Sequence, residues 1–420
     1  MRRSVPVFLA GVLACAAGAP LHAQHDMAAM GDESKPVTFH WGAHSVGHLT
    51  RVSPAVAGRT LSEAYLTQPA LMGGVSTRNN RFSVLTTISL EGLTLDRGEL
   101  GPGTYGEGYI DRRHPHTYLH ELMGVARVAL PLGVNASVAL GRGFAPFGTD
   151  DPMMRPFVRF PVNHHLSQVL ERLVVIGGVQ RGPVTVEVGT FSGNEPLSPK
   201  DLGDPDRFAD SWAARLTVRP AARWEIQASR ADVRSPEEPT GQGDDQRKVS
   251  ISARHDGMVG GNHVYGFAEW SRTTIVNPNR NQDVYATASM LAEASVMRSG
   301  WTGAVRLENT ERPEEGRVGS FRSPWPPSDH FIIGFTRWQV VSVRAQRDVS
   351  WKGVRLGPYI ETSLAHVSTR DGFFDPEEFY GATNLKSVSA GIRLDLGMKH
   401  TRMGRYGVAL PATTMTHEMN

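Results

Sequence analysis

The chain has 420 residues, with 44 basic and 42 acidic side chains and one cysteine, Cys15. If residues 1–24 leave as an export signal, Arg2 and Arg3 go with them, and 42 basic groups face 42 acidic ones with no cysteine remaining. That balance excludes a basic nucleic-acid-binding field and a disulfide-stapled fold. No later run approaches the roughly 18 apolar residues of a membrane helix, so a membrane-spanning chain of this composition has to be a barrel.

Residues 1–24 read as a signal peptide: Arg2 and Arg3 form a basic start, residues 5–17 an apolar stretch too short to span, and Leu21 to Ala23 a small-residue cleavage site. The competing reading is a lipoprotein box ending at Cys15. Residues 25–60 are polar and read as irregular. They begin with His25, Met27 and Met30, thioether and imidazole groups that suit Cu(I), although a frayed mature N-terminus is the preferred reading. Residues 63–72 read as a first strand or a plug element, which closes a polar N-terminal segment at residues 25–80.

From residue 81 a rhythm sets in. Strand-like runs fall at 81–92, 120–130, 134–142, 166–179, 184–191, 212–219, 223–233, 249–255, 263–271, 284–296, 301–311, 331–349, 354–367 and 387–396. Tight turns and long loops alternate between them. The runs have period two: Trp212, Ala214, Leu216 and Val218 are apolar, whereas Arg215, Thr217 and Arg219 are polar. A soluble sandwich also alternates. Strands of about ten residues, the short/long asymmetry of the connections, and tryptophans near segment ends (Trp212, Trp224, Trp270, Trp301, Trp351) favour a transmembrane barrel. The expected fold is all-β, an antiparallel transmembrane β-barrel of about 14 strands, within roughly 12 to 16, with short periplasmic turns and long external loops. The barrel is expected over residues 81–397, followed by a tail at 398–420. The closing strand is either 387–396 or a run that includes 405–410. The tail again carries Met415, His417 and Met419.

Two loops are rich in ligand-type residues. The first holds Asp111, His114, His116, His120 and Glu121 within eleven residues; the second ends at His164 and His165, with Glu171 just beyond. Imidazole and carboxylate together suit Cu, Zn, Ni or Fe, but the spacing matches no standard zinc signature. The structural alternative is a hydrogen-bonded network in which Arg112, Arg113 and Arg155 pair the acids and pin the loops in the lumen. A Ser167/His120 pair is conceivable for a membrane-embedded hydrolase, yet no G-x-S-x-G element occurs. The glycine-rich run 101–108 lacks a P-loop ending.

Asp111, Arg112, His114, Pro115 and His116, then Met154 to Pro156, His164 and His165, and the run from Phe191 to Pro196, resemble a little-characterised group of predicted bacterial outer-membrane β-barrel proteins. The resemblance spans residues 81–196. It implies a barrel, and members often accompany copper- or heavy-metal-handling proteins. Where that pattern has a further histidine this chain has Glu171.

The expectation is a porin-like barrel that passes or binds a small solute or a transition-metal ion such as Cu or Zn. The alternatives are a non-conducting scaffold or adhesion barrel with a plugged lumen, then the hydrolase. The expected metal-site residues are Asp111, His114, His116, His120, His164, His165 and Glu171. Expected partners are outer-membrane lipid, the outer-membrane assembly machinery and the solute or metal ion, with no nucleic acid.

Overall fold

The computed structural model describes residues 36–54, 58–77, 80–94, 117–149, 153, 155–162, 164–315, 332–371, 374–397 and 402–407. In chain order its first strands are β1 (Val37–Ser53), β2 (Leu61–Thr77) and β3 (Phe82–Ser89), then one helical turn, α1 (Glu91–Thr94). Next come β4 (Leu119–Leu130), β5 (Val134–Gly143), β6 (Arg172–Arg181), β7 (Val184–Phe191), β8 (Ser211–Ala221) and β9 (Trp224–Val233). β10 (Asp245–Val259), β11 (Asn262–Asn277), β12 (Gln282–Arg298) and β13 (Trp301–Glu315) follow. β14 (Ile332–Arg347) resumes past Asp348 as Val349–Trp351 on the same neighbour, and β15 (Val354–Thr369), α2 (Pro376–Tyr380) and β16 (Asn384–Gly397) complete the order. Among the described residues this makes sixteen antiparallel barrel strands.

Every strand pairs with its sequence neighbours, and β1 pairs with both β2 and β16, so no edge is left open. That closure is what lets a sheet cross lipid, because the strand N–H and C=O groups find their ladder partners within the wall and no strand is left unpaired at an edge. No described helix is long and apolar enough to cross a membrane. The outer face supplies the apolar surface instead: Leu49, Val188, Ile251, Val343, Ile360, Leu364 and Val388 point away from the lumen and are exposed. Phe39, Trp41, Phe82, Trp301 and Trp351 are exposed around the short-turn end, the position of an interfacial aromatic girdle. Trp212 is exposed at the long-loop end, while Trp270 sits in the middle of β11 and belongs to no girdle. This is the architecture of an outer-membrane-type β-barrel.

The short turns are built as their sequences demand. Ser299 and Gly300 take φ of 48° and 76°, and Lys352 and Gly353 take 46° and 80°, the paired positive values of two-residue hairpins that match strand twist.

The barrel differs from expectation at the N-terminal end of the chain, whereas of the two closing strands expected the structure has the one ending at Gly397. Residues 37–53, read above as irregular, form β1, and β2 lies in the wall, so the barrel begins well before residue 81. On β1 the even positions face inward and the odd ones outward, but Ser45, Gly47 and Arg51 dilute the outer apolar set and Val46 and Val52 the inner polar set. The closing strand is β16, held by β1 from Gly42↔Gly397 to Ser53↔Lys386. Residues 402–407 are not in the wall. They lie inside it.

Candidate functional site

Among the described residues, two segments enter the lumen. The first is the connection between β5 and β6, whose described residues 144–149, 153, 155–162 and 164–171 lie inward of the wall at the long-loop end. Pro146, Pro156 and Pro161 keep it from forming a strand. Phe147, Phe157, Val158 and Val162 are buried within the barrel rather than exposed above it. Its backbone is satisfied by the wall: Gly148 N donates to Ser229 Oγ at 2.9 Å, Val158 N to Glu361 Oε2 at 3.2 Å and Val162 N to Glu308 Oε2 at 2.7 Å. Buried backbone groups need such partners, so the wall's acids and hydroxyls fix the path of the loop.

Its two arginines are anchors. Arg155 lies 3.9 Å from Glu269 and 4.0 Å from Glu293, with its guanidinium over the Phe267 ring. Arg159 reaches the far wall, where it donates to Ser387 at 2.5 Å and Ser363 at 3.0 Å and lies 3.6 Å from Glu361. Arg306 answers from β13: it donates to the Arg159 carbonyl at 2.7 Å, stacks on Phe157 and pairs with Glu293 at 2.8 Å. The loop therefore crosses the lumen from β5 to β15 and β16.

A bulge on β2 aids the crossing. Thr67 pairs with Val46 and Ala70 with His44, so β2 carries one extra residue there, and Gln68 takes φ 53°. Gln68 Nε2 donates to the Val158 carbonyl at 2.9 Å, and its Oε1 lies 3.2 Å from His44 Nε2.

The second segment, residues 402–407, enters from the short-turn end after β16. Arg402 and Arg405 converge on Glu225, near the turn before β9, at 2.9 and 3.0 Å. Higher up, the Tyr406 hydroxyl donates to Glu121 at 2.6 Å and accepts from Phe144 N at 3.1 Å. Arg215 donates to the Gly404 carbonyl at 3.0 Å, and Arg127 to that of Tyr406 at 2.9 Å. Met403 and Tyr406 join Met123, Phe144 and Phe147 in one buried apolar cluster. A Cβ on Gly143 would meet the Tyr406 hydroxyl at 2.4 Å, so glycine there lets the tail dock.

Of the residues expected to bind metal, Asp111, His114 and His116 lie outside the described residues. His120 is buried on β4 and its Nδ1 contacts Glu171 Oε1; Glu171 also accepts from Thr117 N at 3.1 Å. The ends of the two loops thus meet at Glu171. His164 and His165 fall in one 3₁₀ turn (His164–Ser167) between Val162 and Glu171. Among the described residues no group of three or more His, Cys, Asp or Glu is arranged to hold a metal ion. Of the seven expected ligands, His120 and Glu171 are the two whose side chains are described, and they supply two donors at the loop junction. Ser167 hydrogen-bonds Glu269. Arg155 does act as a lumen anchor, on Glu269 and Glu293. The tail segment and the inward faces of β1, β14 and β15 went unflagged in the sequence, although period-two alternation already placed Arg344 and Glu361 on one side of their strands.

No protein-family model matches the chain, and no curated protein matches it. Among solved structures, the anion-selective porin from Comamonas acidovorans is similar, with 10% identity, a TM-score of 0.49, and 86% of this chain and 100% of that chain covered. OmpF of Salmonella typhi in complex with daunomycin matches with 11% identity and a TM-score of 0.49 over 86% of this chain and 97% of that one. OpdO of Pseudomonas aeruginosa matches with 10% identity and a TM-score of 0.38 over 86% and 98%. Similarity of this degree says nothing about the solute.

Proposed function

We propose that the chain is a porin-like barrel of a bacterial outer membrane that passes a small polar solute through a lumen narrowed from both ends. The observation that carries this reading is the occupied, charged lumen. The β5–β6 loop and the 402–407 segment are both held to an inner wall of paired arginines and glutamates, while the outer wall is apolar. A wide water-filled channel needs no such fittings; selective or gated passage does. Short turns then face the periplasm, lipid surrounds the outer belt, and the assembly machinery inserts the barrel. Single-channel conductance of the full-length protein in a planar bilayer tests it. Small, discrete openings are expected. Silence in the full chain and in a chain ended after Gly397 sinks it, and leaves the non-conducting plugged scaffold, which the same anchoring favours.

A narrower form makes the solute a transition-metal ion, with Asp111, His114, His116, His120, His164, His165 and Glu171 as its ligands. The junction of the two loops at Glu171 supports it. Equilibrium dialysis of the purified barrel against Cu(II) or Zn(II) decides it: no retained metal removes the metal and leaves the barrel's passage role standing.

A further inference from the structure

Strand register sets neighbouring inward side chains of β14, β15, β16 and β1 in rows. Arg344 stands beside Glu361; one step lower Tyr359, Gly391 and His48 align; below them come Gly357 and Arg393, then Arg355, Asp395 and His44. Gly391 shapes this wall, since a Cβ there would meet the Tyr359 hydroxyl at 2.7 Å. Tyr359 therefore lies across Gly391, and its hydroxyl is 2.5 Å from His48 Nδ1. The Arg344 guanidinium stacks on the same ring at 4.0 Å.

The carboxylates here are already engaged. Glu361 takes Arg344 at 3.2 Å and has Arg159 at 3.6 Å, Asp395 takes Arg355 at 2.8 Å and His44 at 2.7 Å, and Asp348 accepts from Gln346 at 2.6 Å. Four guanidiniums (Arg159, Arg344, Arg355, Arg393) thus meet three carboxylates. Arg393 is the surplus one. Among the described residues it makes no ion pair or hydrogen bond, its Nε and Nη2 are shielded from solvent, and it feels the like charge of Arg344. His48 is 3% exposed, and its Nε2 likewise has no protein partner. Shielded donors without an acceptor are costly, and a half-buried guanidinium without a counter-charge favours an acceptor of opposite charge. A guanidinium fork suits a planar carboxylate or a phosphate.

We propose that Arg393, Arg344 and His48 form a binding subsite for a small oxyanion, a carboxylate or phosphate group, on the wall facing the β5–β6 loop. The role of the subsite in selecting solutes rests on the passage reading above; its chemistry does not. The full-length protein in detergent at low ionic strength is titrated calorimetrically with inorganic phosphate and, separately, with acetate, against a chloride background. Saturable binding of phosphate alone, acetate alone or both supports the subsite and names its source. Arg393→Gln, which removes a side chain holding no other, weakens that binding about tenfold, the loss of one charge-assisted contact. Arg393→Lys keeps the charge without the fork and falls between. Arg298→Gln, on an exposed short turn, leaves binding unchanged. Absence of saturable binding to either anion, equal affinity in Arg393→Gln, or equal weakening in Arg298→Gln overturns the proposal. Bilayer conductance is read separately: a silent barrel that binds anions keeps the subsite and rejects passage, whereas a conducting barrel that binds neither does the reverse.

Discussion

The two sides of the lumen handle buried charge differently. Along β4, β7, β8 and β9 the wall's acids are taken up by the chain's own segment and by neighbouring strands: Glu225 takes Arg402 and Arg405, Glu187 takes Arg215 at 2.8 Å, and Glu121 takes Tyr406. Across the barrel, along β14 to β16 and β1, Arg393 has no carboxylate and His48 Nε2 no partner among the described residues. The first side is filled by the chain's own segment. The second offers donors to something else. On the passage reading proposed above, the solute would follow the second wall, and the first would act as packing that sets the width of the path.

Ending the chain after Gly397 should have the largest effect on this contrast. With residues 402–407 gone, Arg215, Glu121 and Glu225 face open lumen, and unit conductance should rise about twofold or more, as a narrowed barrel becomes an aqueous one. Unchanged conductance would mean that the segment does not bound the path. Glu225→Gln comes next. It strands Arg402 and Arg405, and breaking a buried pair costs about 3–5 kcal/mol. The tail should then become protease-sensitive and open-channel noise should grow, without loss of the barrel. Tyr406→Phe removes one hydrogen bond to a carboxylate and the acceptor of Phe144 N, worth about 1–3 kcal/mol. Faster hydrogen exchange at residues 143–147 and 403–407 checks it. Arg393→Gln should disturb folding least, because no described partner depends on Arg393, yet it should move the reversal potential in a KCl gradient toward the cation side. A large fall in thermal stability would show that Arg393 supports the wall and would erase the contrast.

Much of the wall was legible in the sequence. Trp212 and Leu216 face out while Arg215 and Thr217 are buried within, as period two requires, and most strand runs lie within a few residues of their predicted places. Alternation fails where polar and apolar residues mix on both faces, which hid β1. It also fails where an apolar run serves an inner segment. Residues 166–171 read as the start of a strand because Leu166 and Val169 are apolar, but both pack inside the lumen and the strand begins at Arg172. The inner loop and the tail have no period at all. Their course is set by contacts with residues far away in sequence, such as Arg159 with Ser387 and Tyr406 with Glu121, and a one-dimensional pattern carries no trace of those. The histidine-rich stretch stood out by composition, and His120 with Glu171 does tie the two loop ends together. The lumen's surplus cation stood out only once strand register showed which carboxylates were already taken.

The extra residue of β2 separates two properties that a barrel wall usually ties together. Thr67 before it and Ala70 after it both face inward, and a strand shortened by one residue there would keep every other side chain on its present face. Lipid would meet the same surface. What would disappear is the Gln68 side chain, and with it the bond to the Val158 carbonyl. A change in length, rather than in chemistry, is then enough to slacken the inner loop while the membrane-facing shell stays as it is. A single wall residue gained or lost at this point therefore alters how firmly the inner loop is held without altering the lipid-facing shell.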